Sequence, residues 1–215
     1  MNRKKMDVSI MAQMSLLGAL MVIMAFTPLG YIPLPFMNAT TMHIPVIVGA
    51  CLLGPKAGGI LGLIFGITSM VKATVQPIIT SFVFTPFYSL NDQFSGGFSS
   101  VIVAVVPRVL IGVVAGLLFQ WLIKVTKKEK TSLLICGFVG SMVNTIGVMG
   151  LIYLLFGGQY SAAIGKDSSL LFTFIMSVVG INGVPEAIIA AVLTVAIGQA
   201  LRVVVKQNKR NTVTL

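Results

Sequence analysis

Of the 215 residues, 56% are hydrophobic and only 9% are charged, with a mean hydropathy of +1.00. A soluble domain carries about 25% charged residues to solvate its surface, so an aqueous exterior is excluded and a bilayer is the solvent that fits. The net charge of +10 excludes little by itself, because only its placement separates a nucleic-acid patch from a membrane orientation signal.

The apolar runs are continuous rather than alternating, which points to a helical bundle and not a closed β-barrel. At about 20 apolar residues per span, the length accommodates six helices with short connections. The basic triplet Arg3, Lys4 and Lys5 precedes an apolar run that is longer than a signal-peptide core and has no A-x-A-like cleavage site. That run predicts a retained first helix over about 8–27, closed by Pro28 in a proline-rich segment reaching Pro35. Helices 2 and 3 are expected at about 40–54 and 57–72, joined through Gly54-Pro55-Lys56. A polar and aromatic stretch over 73–100 follows, broken by Pro77, Pro86, Asn91 and Gly96-Gly97. Proline is well tolerated at the first helical position, so Pro107 and Pro185 are taken as the starts of helix 4 (about 107–124) and helix 6 (about 184–205). Helix 5 covers about 131–156, and the apolar piece 170–181 has no assigned relation to the membrane. Cys51 and Cys136 sit in apolar runs with no Cys/His cluster nearby, so both are expected as packing residues and no metal site is expected.

Charge placement orients this scheme. Arg3, Lys4, Lys5, Lys56, Lys124, Lys127, Lys128, Lys130, Arg202, Lys206, Lys209 and Arg210 all fall on one side of a six-span chain, leaving three of the 15 basic residues elsewhere. This positive-inside asymmetry places both termini in the cytoplasm and argues against a nucleic-acid partner. The expected fold class is therefore an all-α integral membrane protein, a six-helix transmembrane bundle occupying residues 1–215 as one domain.

The chain lacks the machinery for independent work. No G-x-x-x-x-G-K-[ST] loop, H-E-x-x-H pair or G-x-S-x-G elbow occurs, and His43 is the sole histidine. The halves show no internal repeat of the kind found in many secondary transporters. An enzyme is not expected.

Polar groups inside a membrane bundle persist where they are paired or useful. Arg108 lies 16 residues from Lys124, Glu186 16 from Arg202, Lys72 16 from Lys56, and Asn144 14 from Lys130. At about 1.5 Å per residue these four stand roughly 21–24 Å above the cytoplasmic basic ring, in the outer part of the bilayer core. Asn182 falls at the same level. These five are the candidate ligand-binding residues. Arg108 and Glu186 equally fit a structural ion pair, Lys72 a snorkelling side chain, Asn144 an interhelical clamp and Asn182 the cap of helix 6. The arginine favours an anionic ligand, because its rigid fork matches a carboxylate. Small residues form a second pattern: Gly58, Gly62 and Gly66 on helix 3 and Gly112 and Gly116 on helix 4 mark a packing seam. Ala12, Ser15 and Ala19 make a similar face on helix 1, suited to an external partner.

The run Thr40-Thr41-Met42-His43-Ile44-Pro45-Val46-Ile47-Val48-Gly49-Ala50, followed by Leu53-Gly54-Pro55-Lys56-Ala57-Gly58, resembles the S components of energy-coupling factor (ECF) vitamin transporters. Gly66-Ile67-Thr68-Ser69, Ser81 to Phe87, Pro107-Arg108 and Asn182 to Ala187 carry the same resemblance, which covers nearly the whole chain. Within the family the chain is most similar to pantothenate-specific subunits, with hydroxymethylpyrimidine-type and folate-type subunits close behind. The resemblance implies a multi-pass protein of a bacterial plasma membrane that binds a vitamin from outside, beneath loops 1–2 and 3–4. It also implies a membrane coupling protein (T component) and two cytoplasmic ATPases as partners, with toppling in the bilayer to release substrate inside. ATP is then used by the partners, and no cofactor is expected on this chain. The family's Ala-x-x-x-Ala face for the coupling protein corresponds to Ser15 and Ala19 here, a small-for-small departure. A self-sufficient facilitator or channel is the competing reading.

Overall fold

The computed structural model describes residues 8–33, 38–91 and 93–211. The basic triplet Arg3 to Lys5 and Pro35 lie outside the described residues. The chain forms α1 (Val8–Ala25), a hairpin of β1 (Tyr31–Pro33) and β2 (Asn38–Thr40), α2 (His43–Leu53) and α3 (Pro55–Val75). A 3-10 turn over Ser81–Val83 and a second hairpin, β3 (Ser89–Asn91) with β4 (Phe94–Ser95), lead to α4 (Phe98–Thr126). Then come α5 (Glu129–Ala163), α6 (Leu171–Val178), a π turn over Val179–Gly183 and α7 (Val184–Asn211). Among the described residues four stretches are long and apolar enough to cross a membrane: Pro55–Val75, Phe98–Thr126, Glu129–Ala163 and Ser168–Leu201. Two further apolar helices, Ile10–Ala25 and His43–Leu53, are shorter.

Packing explains the arrangement. α2 is buried at every residue from His43 to Cys51, as expected of a short helix that is apolar all round, and α1, α3, α4, α5 and α7 surround it. Gly54 turns the chain sharply from α2 into α3 with φ +96°, a left-handed value that favours glycine, and Pro55 opens the next helix. α3 and α4 then run antiparallel along the expected glycine seam. A Cβ on Gly112 would stand 1.9 Å from the Gly58 carbonyl oxygen, and one on Gly62 would stand 2.1 Å from that of Arg108. The two backbones touch, and no side chain fits between them. Large apolar side chains face outward instead, including Leu16, Leu154 and Ile181, each more than 70% exposed, which suits a lipid-facing surface.

Two expected boundaries are corrected, and the unassigned piece is placed. Helix 4 begins at Phe98, nine residues before Pro107, because the Ser100 hydroxyl accepts from the Gly97 N–H at 3.1 Å and donates to the Phe82 carbonyl at 2.7 Å. Pro107 therefore sits inside the helix. Helix 5 runs past Gly157-Gly158 to Ala163. Buried Phe156 and Tyr160 pack with Leu171 and Ile175 of α6 and outweigh a glycine penalty of about 1 kcal/mol per residue. The unassigned piece 170–181 is helical and continues through the π turn into α7, which begins at Val184 beside the expected start of helix 6. The Pro185 ring crowds the carbonyl four residues back, that of Ile181, and the wider π turn falls on that residue. The two short hairpins are a further difference, since no strand was expected.

Candidate functional site

Where α3, α4, α5 and α7 meet the first hairpin, a cleft opens with about 720 Å³ of empty space, solvent at its mouth included. Its wall contains Arg108, Asn144, Glu186 and Lys72. It lies at the end of α3 far from Pro55, which packs against Gly116 near the lysine-rich turn between α4 and α5. Four of the five expected ligand-binding residues thus come together at the end opposite that turn.

Arg108 owes its pose to its neighbour. Pro107 has no N–H, so the carbonyl of Val103, four residues earlier, loses its helical partner. The Arg108 guanidinium supplies one instead, its Nη1 donating to Val103 O at 2.7 Å. The group lies 5.4 Å from the Phe65 ring centroid and 5.3 Å from that of Phe84, within cation–π range. The side chain is buried, yet among the described residues its Nε has no hydrogen-bond partner. Among the described residues the alternative ion pair between Arg108 and Glu186 is not formed.

Glu186 is engaged elsewhere. Its Oε1 accepts from the Thr40 N–H at 2.8 Å and stands 4.0 Å from Nδ1 of buried His43. Thr40 in turn donates through its hydroxyl to Gly30 O at 3.1 Å and accepts from the Met42 N–H at 3.2 Å. One carboxyl thereby ties the base of the first hairpin to α7. Lys72 donates to Gln76 and lies 5.9 Å over the Tyr31 ring, so it is held within the cleft wall instead of extending freely. The Tyr31 hydroxyl faces Thr68 and Ser69 without completing a hydrogen bond to either. Burial pushes its pKa up against the pull of Arg108, so it remains a neutral phenol.

Asn144 is buried, and among the described residues its Oδ1 has no hydrogen-bond partner, so no interhelical clamp is made through that oxygen. Asn182 does not line the cleft. It lies in the π turn, where the chain is already helical, and so has no helix start to cap. Tyr31, Thr40, Ser69, Gln76 and Phe84 line the cleft but were not anticipated. Gln76 alone carried a readable signal, four residues beyond Lys72 on the same helical face. The others are small, aromatic or on strands that hydropathy does not mark. On α1, Ala12, Ser15 and Ala19 are exposed, while Met14, Gly18 and Met21 turn inward, with Gly18 close against Ile64 of α3.

The cleft combines two cations with one carboxyl already tied to backbone, and residues 9–198 match the family described as the ECF transporter substrate-specific component. The chain belongs to that family. This S component is 30% identical over 199 residues to the pantothenic acid transporter PanT of Lactococcus lactis subsp. cremoris, covering 92% of this chain and 94% of the relative. It is 28% identical over 181 residues to the pantothenate transporter PanT of Leuconostoc mesenteroides subsp. mesenteroides, covering 80% and 81% respectively. The family is one of membrane transporter components, not of enzymes.

Proposed function

We propose that this S component captures pantothenate from the extracellular side of a bacterial plasma membrane and delivers it inward with a T component and two ATPases. The observation that carries this reading is the state of Arg108. Among the described residues it is a buried cation with one hydrogen bond to protein, within cation–π range of two rings in the wall of a cleft that also holds Lys72. Such a group favours an anion able to complete its hydrogen bonding. Pantothenate offers a carboxylate to Arg108 and Lys72, with an amide and hydroxyls for Asn144 and neighbouring polar groups. Both relatives carry pantothenate transport in their names.

In this reading the chain is a single domain of six membrane-crossing helices, with α6 and α7 forming one of them. Both termini lie in the cytoplasm, a reading supported by the placement of lysine and arginine along the sequence. The exposed Ala12, Ser15 and Ala19 face meets the T component. The chain binds no cofactor, and ATP is used by its partners. Titrating the purified protein with pantothenate, hydroxymethylpyrimidine, pyridoxine and folate tests the ligand, with saturable binding expected for pantothenate alone. Liposomes containing only this chain should accumulate no pantothenate, and uptake without ATPase partners would establish a facilitator instead.

A further inference from the structure

A proline inside a helix leaves one carbonyl without its usual donor. In α4 that carbonyl belongs to Val103, and among the described residues it is the one hydrogen-bond acceptor of the Arg108 guanidinium. The arrangement is accommodated from outside the helix as well. Pro107 is buried, and across from it stands Gly147 of α5, where a Cβ would come within 3.2 Å of the proline ring. The Phe65 and Phe84 rings both lie within cation–π distance of the guanidinium. The backbone anchor then sets how the group is rotated beside these rings.

We propose that Pro107 is a positioning residue for Arg108: by withholding an N–H from the Val103 carbonyl, it leaves on α4 itself the acceptor that orients the guanidinium toward the cleft. The two adjacent residues act as one device, the first freeing an acceptor and the second occupying it. With alanine at position 107, the helical N–H would compete for Val103 O, and the guanidinium would lose its fixed rotation. The consequence for binding rests on the reading of Arg108 as the partner of an anionic ligand, whereas the anchor itself does not.

The test compares Pro107→Ala with an α-hydroxy-acid analogue of alanine placed at 107 by nonsense suppression, which lacks both the ring and the N–H. In ligand-free protein, the guanidinium 15N signals of Arg108, assigned by their loss in Arg108→Lys, should be separate in the wild type and in the hydroxy-acid protein. They should merge in Pro107→Ala. Thermal stability of Pro107→Ala should equal or exceed the wild type, because a helical hydrogen bond is restored. Its Kd for pantothenate should rise roughly tenfold, while the hydroxy-acid protein keeps the wild-type Kd. Separate signals and an unchanged Kd in Pro107→Ala would overturn the proposal. So would a hydroxy-acid protein that behaves like alanine, since the ring and not the missing donor would then matter. Wild-type protein that binds no pantothenate would refute the ligand assignment alone, because the 15N signals read the anchor without ligand.

Discussion

Replacing Arg108 with methionine separates ligand binding from folding. In the ligand-free protein the arginine is buried, donates to Val103 O at 2.7 Å and leaves Nε unpartnered. Methionine keeps much of the apolar stem between Phe65 and Phe84 and removes a buried charge. It also strips Val103 O of its donor, at a cost of about 1 kcal/mol. Relief of the charge's desolvation offsets that loss, since uncompensated buried charges are themselves destabilising. We therefore expect folded stability within about 1 kcal/mol of the wild type. Ligand binding should respond far more strongly. Losing the charge-assisted hydrogen bonds to a carboxylate removes about 1.5–3 kcal/mol, which weakens Kd by roughly 10- to 150-fold. Arg108→Lys should fall between, retaining the charge but not the planar fork. Calorimetric titration with pantothenate, paired with thermal melts of the ligand-free proteins, reads both effects. A methionine variant that binds as tightly as the wild type would refute the carboxylate assignment. Loss of binding together with a collapsed melt would show Arg108 to be a structural element.

Glu186→Ala should release the first hairpin from α7, so that the Thr40 amide exchanges hydrogen roughly tenfold faster. Glu186→Gln keeps an acceptor and should preserve protection; unchanged exchange in the alanine variant would mean that the hairpin is held by other contacts. Gly112→Ala places a Cβ 1.9 Å from Gly58 O and should destabilise the protein by about 1–3 kcal/mol as α3 and α4 are forced apart. Gly150→Ala meets nothing within 4 Å and should be neutral or slightly stabilising through helix propensity; equal effects in paired melts would dismiss the seam. Ala19→Leu enlarges the exposed small face of α1 and should leave pantothenate affinity unchanged while reducing co-purification with the T component. Intact assembly would remove α1 from that contact.

The physical history of particular residues shows how far one-dimensional reasoning reaches. Arg108, Asn144, Glu186 and Lys72 were legible because helical rise is regular, so counting from the basic ends gives depth without knowledge of neighbours. Counting does not give azimuth or contact, which is why Asn182 was placed with them although it does not line the cleft. Pro107 differs for a related reason: local preference puts proline at helix starts, but a buried Ser100 contact begins α4 earlier and keeps Pro107 inside it. Gly157 and Gly158 looked like breakers until aromatic packing against α6 carried α5 past them.

Composition, apolar run length and the distribution of lysine and arginine determine the solvent and the helical class, because each is a sum over residues. The spacing of Gly58, Gly62 and Gly66 against Gly112 and Gly116 also specifies one helix pair, since small residues four apart leave a backbone open to close approach. Tertiary structure alone decides what the polar groups do. Arg108 leans on Val103 and two rings instead of pairing with Glu186, and Glu186 holds the hairpin instead of facing an arginine. Hydrogen bonds act over about 3 Å. Their partners are chosen by rotations and approaches that chain position does not encode.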